Sequence, residues 1–255
     1  MSRAYCHHGF FCASDSQAVK LSKSAIAKII WRFFFVQGAW NFRGMQNIGF
    51  VYAMLPGLKK VRPADAEKAA EKYLRFFNTH PYMAPAIGGV FLNMEERGDE
   101  AAIENIRPGI SGSLAALGDT FFWATLKPII ALLLLLALMG DNVWAMILVL
   151  LLYNGIHLWA MTWGFARGYR NGPSGALDLA GILSIDRTKR IALAIPLLAG
   201  MVIAVMSLKN DTGWALLGVN LLVFIAAAAA FRLKLGVLWI FYGVFTLSLV
   251  WTIMK

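Results

Sequence analysis

Charged residues are scarce in this sequence, 15% of 255 residues against 59% hydrophobic ones. With a mean hydropathy of +0.61, that excludes an ordinary soluble domain and describes a polytopic membrane protein. Acidic residues are scarcer still, 14 against 24 lysines and arginines, for a net charge of +10. The excess reads as cytoplasmic loop charge and attraction to anionic membrane lipid. No aromatic-interleaved basic module accompanies it, so nucleic acid is not an expected partner. Cysteine is nearly absent: Cys6 and Cys12 lie near His7 and His8, but not at the spacing of a structural zinc site. Residues 1–20 therefore read as a disordered tail with free thiols, and neither a metal nor a cofactor is expected. No Gly-Lys-Ser/Thr follows the glycines, which excludes a P-loop, and no catalytic triad is in view. A signal peptide is also missing. The first ordered pattern begins near Leu21, which leaves room for a translation start after Met1.

What is present centres on residues 118–139, GDTFFWATLKPIIALLLLLALM. The stretch passes from groups that hydrogen-bond a polar ligand to groups that face lipid or a core. Asp119 and Lys127 are costly at a membrane segment unless paired, hydrated or used, so each is a functional candidate; a lysine near a helix end also snorkels readily. Trp123 lies between them, an aromatic of the kind that anchors membrane interfaces.

Upstream, residues 21–40 carry Ile26, Ile29, Ile30, Phe33 and Phe34 at helical spacing beside Lys28 and Arg32. This predicts an amphipathic helix lying at a membrane surface or against a partner. Residues 40–60 are apolar but interrupted by Gly44, Gly49 and Pro56-Gly57, and too short for a span. A re-entrant or bundle-buried hairpin is expected, because broken backbone at membrane depth must be covered by protein. Pro63 should open a polar, solvated helix with a Glu71–Arg75 pair one turn apart. It should end at Asn78-Thr79-His80-Pro81. A second broken segment, with Pro85, Gly88 and Gly89, runs into Glu95 and Glu96, which read either as a solvated face or as acceptors for polyol hydroxyls. Residues 105–119 predict a loop and a close-packing helix.

Downstream, Gly140-Asp141-Asn142 predicts a tight turn before a span at 143–163 that holds Asn154 and His157. A loop at 164–190, rich in arginine, is placed inside by the positive-inside rule. Spans at 191–208, 214–231 and 235–254 follow, so the C-terminus falls outside and the N-terminus in the cytoplasm. The expected fold is all-α: residues 21–117 form the surface helix and broken hairpins, and 118–255 a bundle of about five transmembrane helices. Broken membrane helices point to a substrate site.

The blocks LSKSAIAKIIWRFFFVQGAWNFRGMQNIGF, FFNTHP followed by Met94-Glu95-Glu96, LGDTFFWATLKP, and Asn154, His157 and GFARGYRNG occur in an order that resembles the IID components of the mannose-type sugar phosphotransferase system. The resemblance covers most of residues 21–172. It implies a multi-pass subunit of the bacterial inner membrane that pairs with a IIC subunit to translocate a hexose. The cytoplasmic IIB protein, supplied by IIA, then phosphorylates the sugar. It also implies a higher oligomer of the IIC–IID pair and no phosphorylated or catalytic residue on this chain. Asp119, Glu95, Glu96, Asn78 and His80 are then the polar residues expected near the sugar path, with Trp123 and Lys127 beside them. Where the family commonly has Ser, Gly and Arg, this chain has Thr120, Ala124 and Lys127; a lysine supplies a point charge where arginine offers a two-pronged fork. The alternative reading is a non-transporting subunit that stabilises or regulates a IIC-like partner.

Overall fold

The computed structural model describes residues 21–209 and, past them, 218, 219, 221, 222, 224–226, 229, 242, 243 and 246. The tail at 1–20, the C-terminus and most of the expected spans at 214–231 and 235–254 lie outside the described residues. The helices are α1 (Lys23–Phe33), α2 (Asn47–Val61), α3 (Ala66–Lys72), α4 (Ala84–Arg97) and α5 (Glu100–Gly118). A π-helical segment, Asp119–Leu126, leads into α6 (Lys127–Met139). Then come α7 (Val143–Asn171), α8 (Pro173–Ile182), α9 (Ile185–Ala192) and α10 (Ala194–Leu208). Among the described residues there is no strand, only two isolated bridges, as the all-α expectation requires. The chain forms two compact units. One takes the residues up to Leu126 and then Leu152–Lys189; the other takes Lys127–Leu151 and the chain from Arg190.

The first unit is built round α4. Every residue from Ala84 to Glu95 is buried, yet 14 residues make a helix of only about 21 Å, too short for a hydrocarbon core of about 30 Å. The segment is thus bundle-buried, and its glycines interrupt nothing. A Cβ on Gly89 would stand 2.4 Å from the carbonyl oxygen of Phe165, and one on Gly168 would stand 2.4 Å from that of Ala86. Small residues here let the α4 and α7 backbones touch, as at close helix crossings in membranes. Gly57 of α2 meets Leu92 in the same way. Helix α1, capped by the Ser22 hydroxyl, which accepts from the Ala25 amide, buries Ile29, Ile30 and Phe33 and leaves Trp31, Phe34 and Phe35 exposed.

Two expected loops are helical. Pro108 lies inside α5, where an interior proline costs about 3 kcal/mol. Ile103, Arg107, Ser111 and Leu114, buried at helical spacing, fasten that face strongly enough to carry the helix through. Residues 164–190 are mostly helical because α7 runs on to Asn171 through its packing on α4; loop charge reports sidedness, not conformation. The Glu71–Arg75 pair does not form. Helix α3 ends at Lys72, and Arg75 pairs with Glu104 at 3.1 Å.

In the second unit α6 packs against α10, and Lys209 donates to the carbonyl of Met139, a cation at a helix C-terminus. The tight turn forms as expected: Asp141 has φ 52° and Asn142 accepts from the Ala145 amide at 3.0 Å. Three helical runs are long and apolar enough to cross a membrane, Glu100–Met139, Val143–Asn171 and Pro173–Leu208.

Candidate functional site

Two loops of the first unit lock together to present His80. The Asn41 side chain accepts from the Gly44 amide at 2.7 Å, folding a tight loop with Met45 at φ 56°. That loop pairs with the chain at Phe77, whose amide donates to Gly44 (3.2 Å) and whose carbonyl accepts from Gln46 (2.9 Å). The buried Gln46 side chain then closes on the next backbone unit from both directions, donating to the Thr79 carbonyl at 2.8 Å and accepting from its amide at 3.2 Å. The Thr79 hydroxyl donates to the Ser111 carbonyl of α5 at 3.1 Å. Neither Gln46 nor Thr79 stands out in the sequence as a site residue, since a buried amide clamp has no periodicity to betray it.

So held, His80 is buried. Its Nδ1 accepts from the Tyr82 amide at 3.2 Å, which leaves the proton of the neutral ring on Nε2. Phe122 stacks on the imidazole (5.1 Å, 18°) and Trp123 meets it edge-on (5.1 Å, 62°). Tyr82 carries the cluster on to α7, stacking on His157 at 4.6 Å and sharing a hydrogen bond with the Tyr153 hydroxyl at 3.0 Å. Tyr153 and His157 are one turn apart on one helix face, the signal by which this end of the cluster could have been found.

The wall opposite His80 is the π-helical segment. The Thr125 hydroxyl donates to the Thr120 carbonyl five residues back, at 2.9 Å. Pro128 has no N–H to return to the preceding turn, so the helix gives up a bond there and can widen; such segments frequently mark functional sites. The wider turn buries Phe122 against His80 and leaves Asp119 and Trp123 exposed. Asp119 makes no hydrogen bond or ion pair with a described residue, and it sits within a run long enough to span a membrane. Gly118 passes so close to His80 that an added Cβ would lie 2.4 Å from the histidine Cβ. Gly118→Ala should therefore displace the loop and cost about 1–3 kcal/mol, as overpacking does. The check is a lowered melting temperature of the purified protein together with altered fluorescence of Trp123.

The structure thus brings His80 and Trp123 together and sets His80 against Gly118, the residue before Asp119, with Asn78 two residues away on the loop. It does not bring Glu95 or Glu96 to them. Glu95 is buried; it accepts from the Tyr73 hydroxyl at 2.8 Å and from Arg62 at 3.2 Å. Arg62 also pairs with Asp65 and Glu100, so Glu95 lies level with the start of α5, roughly 28 Å along the helix from Asp119 at 1.5 Å per residue. Burial pushes the Glu95 carboxyl above its ordinary range, against the pull of Tyr73 and of the nearby cations. Glu96 accepts from the Tyr169 hydroxyl at 2.8 Å. Asn78 is exposed beside α5, and Lys127 opens α6 in the second unit, also exposed. Among the described residues no three His, Cys, Asp or Glu side chains are placed to hold a metal ion. An imidazole packed among aromatic rings, with an exposed carboxylate one residue past the contact at Gly118, has the group types that hold a hydroxyl-rich ligand.

A family described as the mannose/fructose/sorbose-family IID component of the phosphotransferase system matches residues 20–212. The mannose-specific EIID component of Escherichia coli K12 is 35% identical over 171 residues, which are 64% of this chain and 60% of that protein. The fructose permease IID component of Bacillus subtilis is 35% identical over 170 residues, 64% of this chain and 62% of that one. Each match therefore spans less than two thirds of the relative's length. Among solved structures, a chain of the mannose transporter ManYZ in complex with microcin E492 superposes with a TM-score of 0.55 at 28% identity, covering 91% of this chain and 96% of that one. A second chain, described as a membrane protein, gives 0.65 at 28% identity with the same coverage.

Proposed function

The chain belongs to the mannose/fructose/sorbose family of phosphotransferase-system IID components, and from that membership we propose that it serves as the membrane subunit which, with a IIC partner, translocates a hexose. In this reading IIB phosphorylates the sugar as it arrives, IIA supplies IIB, and this chain carries no phosphorylated residue. The observation that carries it is Asp119, whose exposed carboxylate pairs with no described residue in a membrane-length helix, one residue past the contact of Gly118 with His80. Such a charge is costly in a membrane unless it meets a ligand, water or another subunit. Asp119 and His80 would hold hydroxyls, Trp123 would cover an apolar ring face, and Lys127 and Asn78 would lie along the path.

Asp119→Asn is expected to abolish sugar uptake by membrane vesicles supplied with phosphoenolpyruvate and the phosphocarriers, while the IIC–IID complex still copurifies. Wild-type uptake by the variant would overturn the assignment. The proposed orientation sets residues 164–190 in the cytoplasm. The Glu96–Tyr169 hydrogen bond then carries the end of α4 to the same side. The expected setting is the inner membrane, with a higher oligomer of the pair.

The engagement of Glu95 and Glu96 by residues of their own chain favours a second reading, in which this subunit only assembles or regulates its partner. Ligand contacts confined to IIC in a sugar-bound complex would select it.

A further inference from the structure

From Leu21 to Ala64 the chain carries lysines and arginines but no aspartate or glutamate, and folding sorts this stretch by polarity. Helices α1 and α2 run antiparallel: Gly49 abuts the Val36 carbonyl, Arg32 donates to the Tyr52 carbonyl at 2.9 Å, and Gly57 faces Ile29. The exposed rings of Phe34, Phe35, Trp40 and Phe42 therefore gather at the closed end of this hairpin. Lys23, Lys28, Lys59 and Lys60, also exposed, lie toward its open end. Helix α1 runs along α7 as well, from a hydrogen bond between the Leu21 backbone and Tyr169 to a ring contact of Phe34 with His157 at 6.2 Å. Those contacts are about 18–20 Å apart along either helix at 1.5 Å per residue, a little over half of a hydrocarbon core of about 30 Å. Since α7 is long and apolar enough to cross a membrane, the hairpin beside it has the reach to enter one leaflet, aromatic end innermost and basic end among the headgroups.

An open groove of about 400 Å³ follows α1 lengthwise, lined by Ile26, Ile30, Trp31 and Phe34 and by Thr162 of α7, with Lys23 at one end. The Thr162 hydroxyl is spent on its own helix, donating to the Leu158 carbonyl at 2.8 Å and to that of Trp159 at 3.3 Å. Along its length the groove thus offers only apolar surface. We propose that it binds one anionic phospholipid, with an acyl chain lying along α1 and the phosphate meeting Lys23. The charge selects the headgroup: a cation at the mouth, in a stretch without a single carboxylate, attracts an anion, and Lys28, Lys59 and Lys60 add to the field at that level. The wall selects the chain. Helices that pack together in a membrane meet through small residues and shared hydrogen bonds, whereas this groove presents bulky side chains and no hydrogen-bonding group but the lysine. In the orientation proposed above the lipid comes from the cytoplasmic leaflet; the sugar-handling reading does not enter.

The test places the full chain, with its IIC partner, in phosphatidylcholine nanodiscs containing a small fraction of a photoactivatable lipid that carries a diazirine on its acyl chain. The headgroup of that lipid is either phosphatidylglycerol or phosphatidylcholine, and adducts on residues 26–34 are counted by peptide mass spectrometry. The phosphatidylglycerol probe is expected to give about fivefold more adduct than the phosphatidylcholine probe, the attraction of one lysine near a charged surface. Lys23→Gln should bring the two probes to equal yield and leave the phosphatidylcholine yield unchanged; Lys23 is exposed, so the fold should tolerate the exchange. Three results would overturn the proposal. Equal yields in the wild type would make the groove ordinary lipid-facing surface, and no adduct from either probe would mean that protein covers it. A preference that survives in Lys23→Gln would place the headgroup elsewhere. No sugar is present, so the outcome is independent of the uptake test on Asp119.

Discussion

Gly168→Ala is expected to be the most damaging single methyl that can be added among the described glycines of α7. The new Cβ would stand 2.4 Å from the carbonyl oxygen of Ala86 and 3.0 Å from the amide nitrogen of Val90. Both are backbone atoms of a fully buried helix, so no side chain can turn aside and α4 or α7 itself must move. Overpacking costs about 1–3 kcal/mol, occasionally more, when side chains can yield; here they cannot, and the upper end or beyond is expected. Because α4 is the centre of the first unit, the loss should appear as a large fall in melting temperature or as failure to purify a monodisperse protein. Gly155→Ala, on the same helix, is the control. Nothing lies within 4 Å of that Cβ, and replacing a helix glycine gains about 1 kcal/mol from propensity alone. Equal behaviour of the two variants would mean that the close crossing of α4 and α7 is not a determinant of stability.

Glu95→Leu is expected to cost about 1–3 kcal/mol, and the sufferer is Tyr73 rather than Arg62. Arg62 retains Asp65 in a two-pronged contact (2.9 and 2.5 Å) and Glu100 as well, so it is never left as an isolated buried charge. The Tyr73 hydroxyl is buried and donates to Glu95; without that acceptor it bears the cost of an unmet donor. In a double-mutant cycle, Tyr73→Phe should destabilise the wild type but be close to neutral once Glu95 is leucine. Additive losses would refute the coupling. A pH dependence follows from the raised folded-state carboxyl. Glu95 contributes most below the ordinary carboxylate value of 4.5 and loses that contribution as pH rises through the raised value. The stability of wild type relative to Glu95→Gln should therefore decline as pH increases from that point, in thermal melts taken across the acidic range.

Much of the plan was legible in the chain because it depends on local composition. Runs of aliphatic residues at 129–139 and 143–152 cannot be anything but spans or core, and Gly140-Asp141-Asn142 between them has the residues of a turn. The pairing of the 41–46 loop with Phe77–Thr79 was not legible, although both stretches were singled out. It is made of backbone bonds and one amide clamp between residues 33 apart in sequence, and such bonds leave no period. Proline and glycine misdirected the reading for a definite reason. Pro108, Gly88, Gly89 and Gly168 all weaken an isolated helix, but in place they either sit on a helix held by its other face or permit backbone contact, and packing outweighs propensity. The π-helical turn escaped notice because a proline such as Pro128 only permits widening, and whether the turn widens depends on how Phe122 seats against His80.

The sequence by itself determined that the chain is helical, membrane-bound and basic, and it singled out Asp119, Glu95, Glu96, Asn78 and His80 as its conspicuous polar groups, since hydropathy and charge are properties of residues one at a time. The tertiary structure decided which of those groups meet. It set His80 against Trp123 and against Gly118, the neighbour of Asp119, and held Glu95 roughly 28 Å from Asp119 along the direction of α5, because proximity exists only once distant segments have packed.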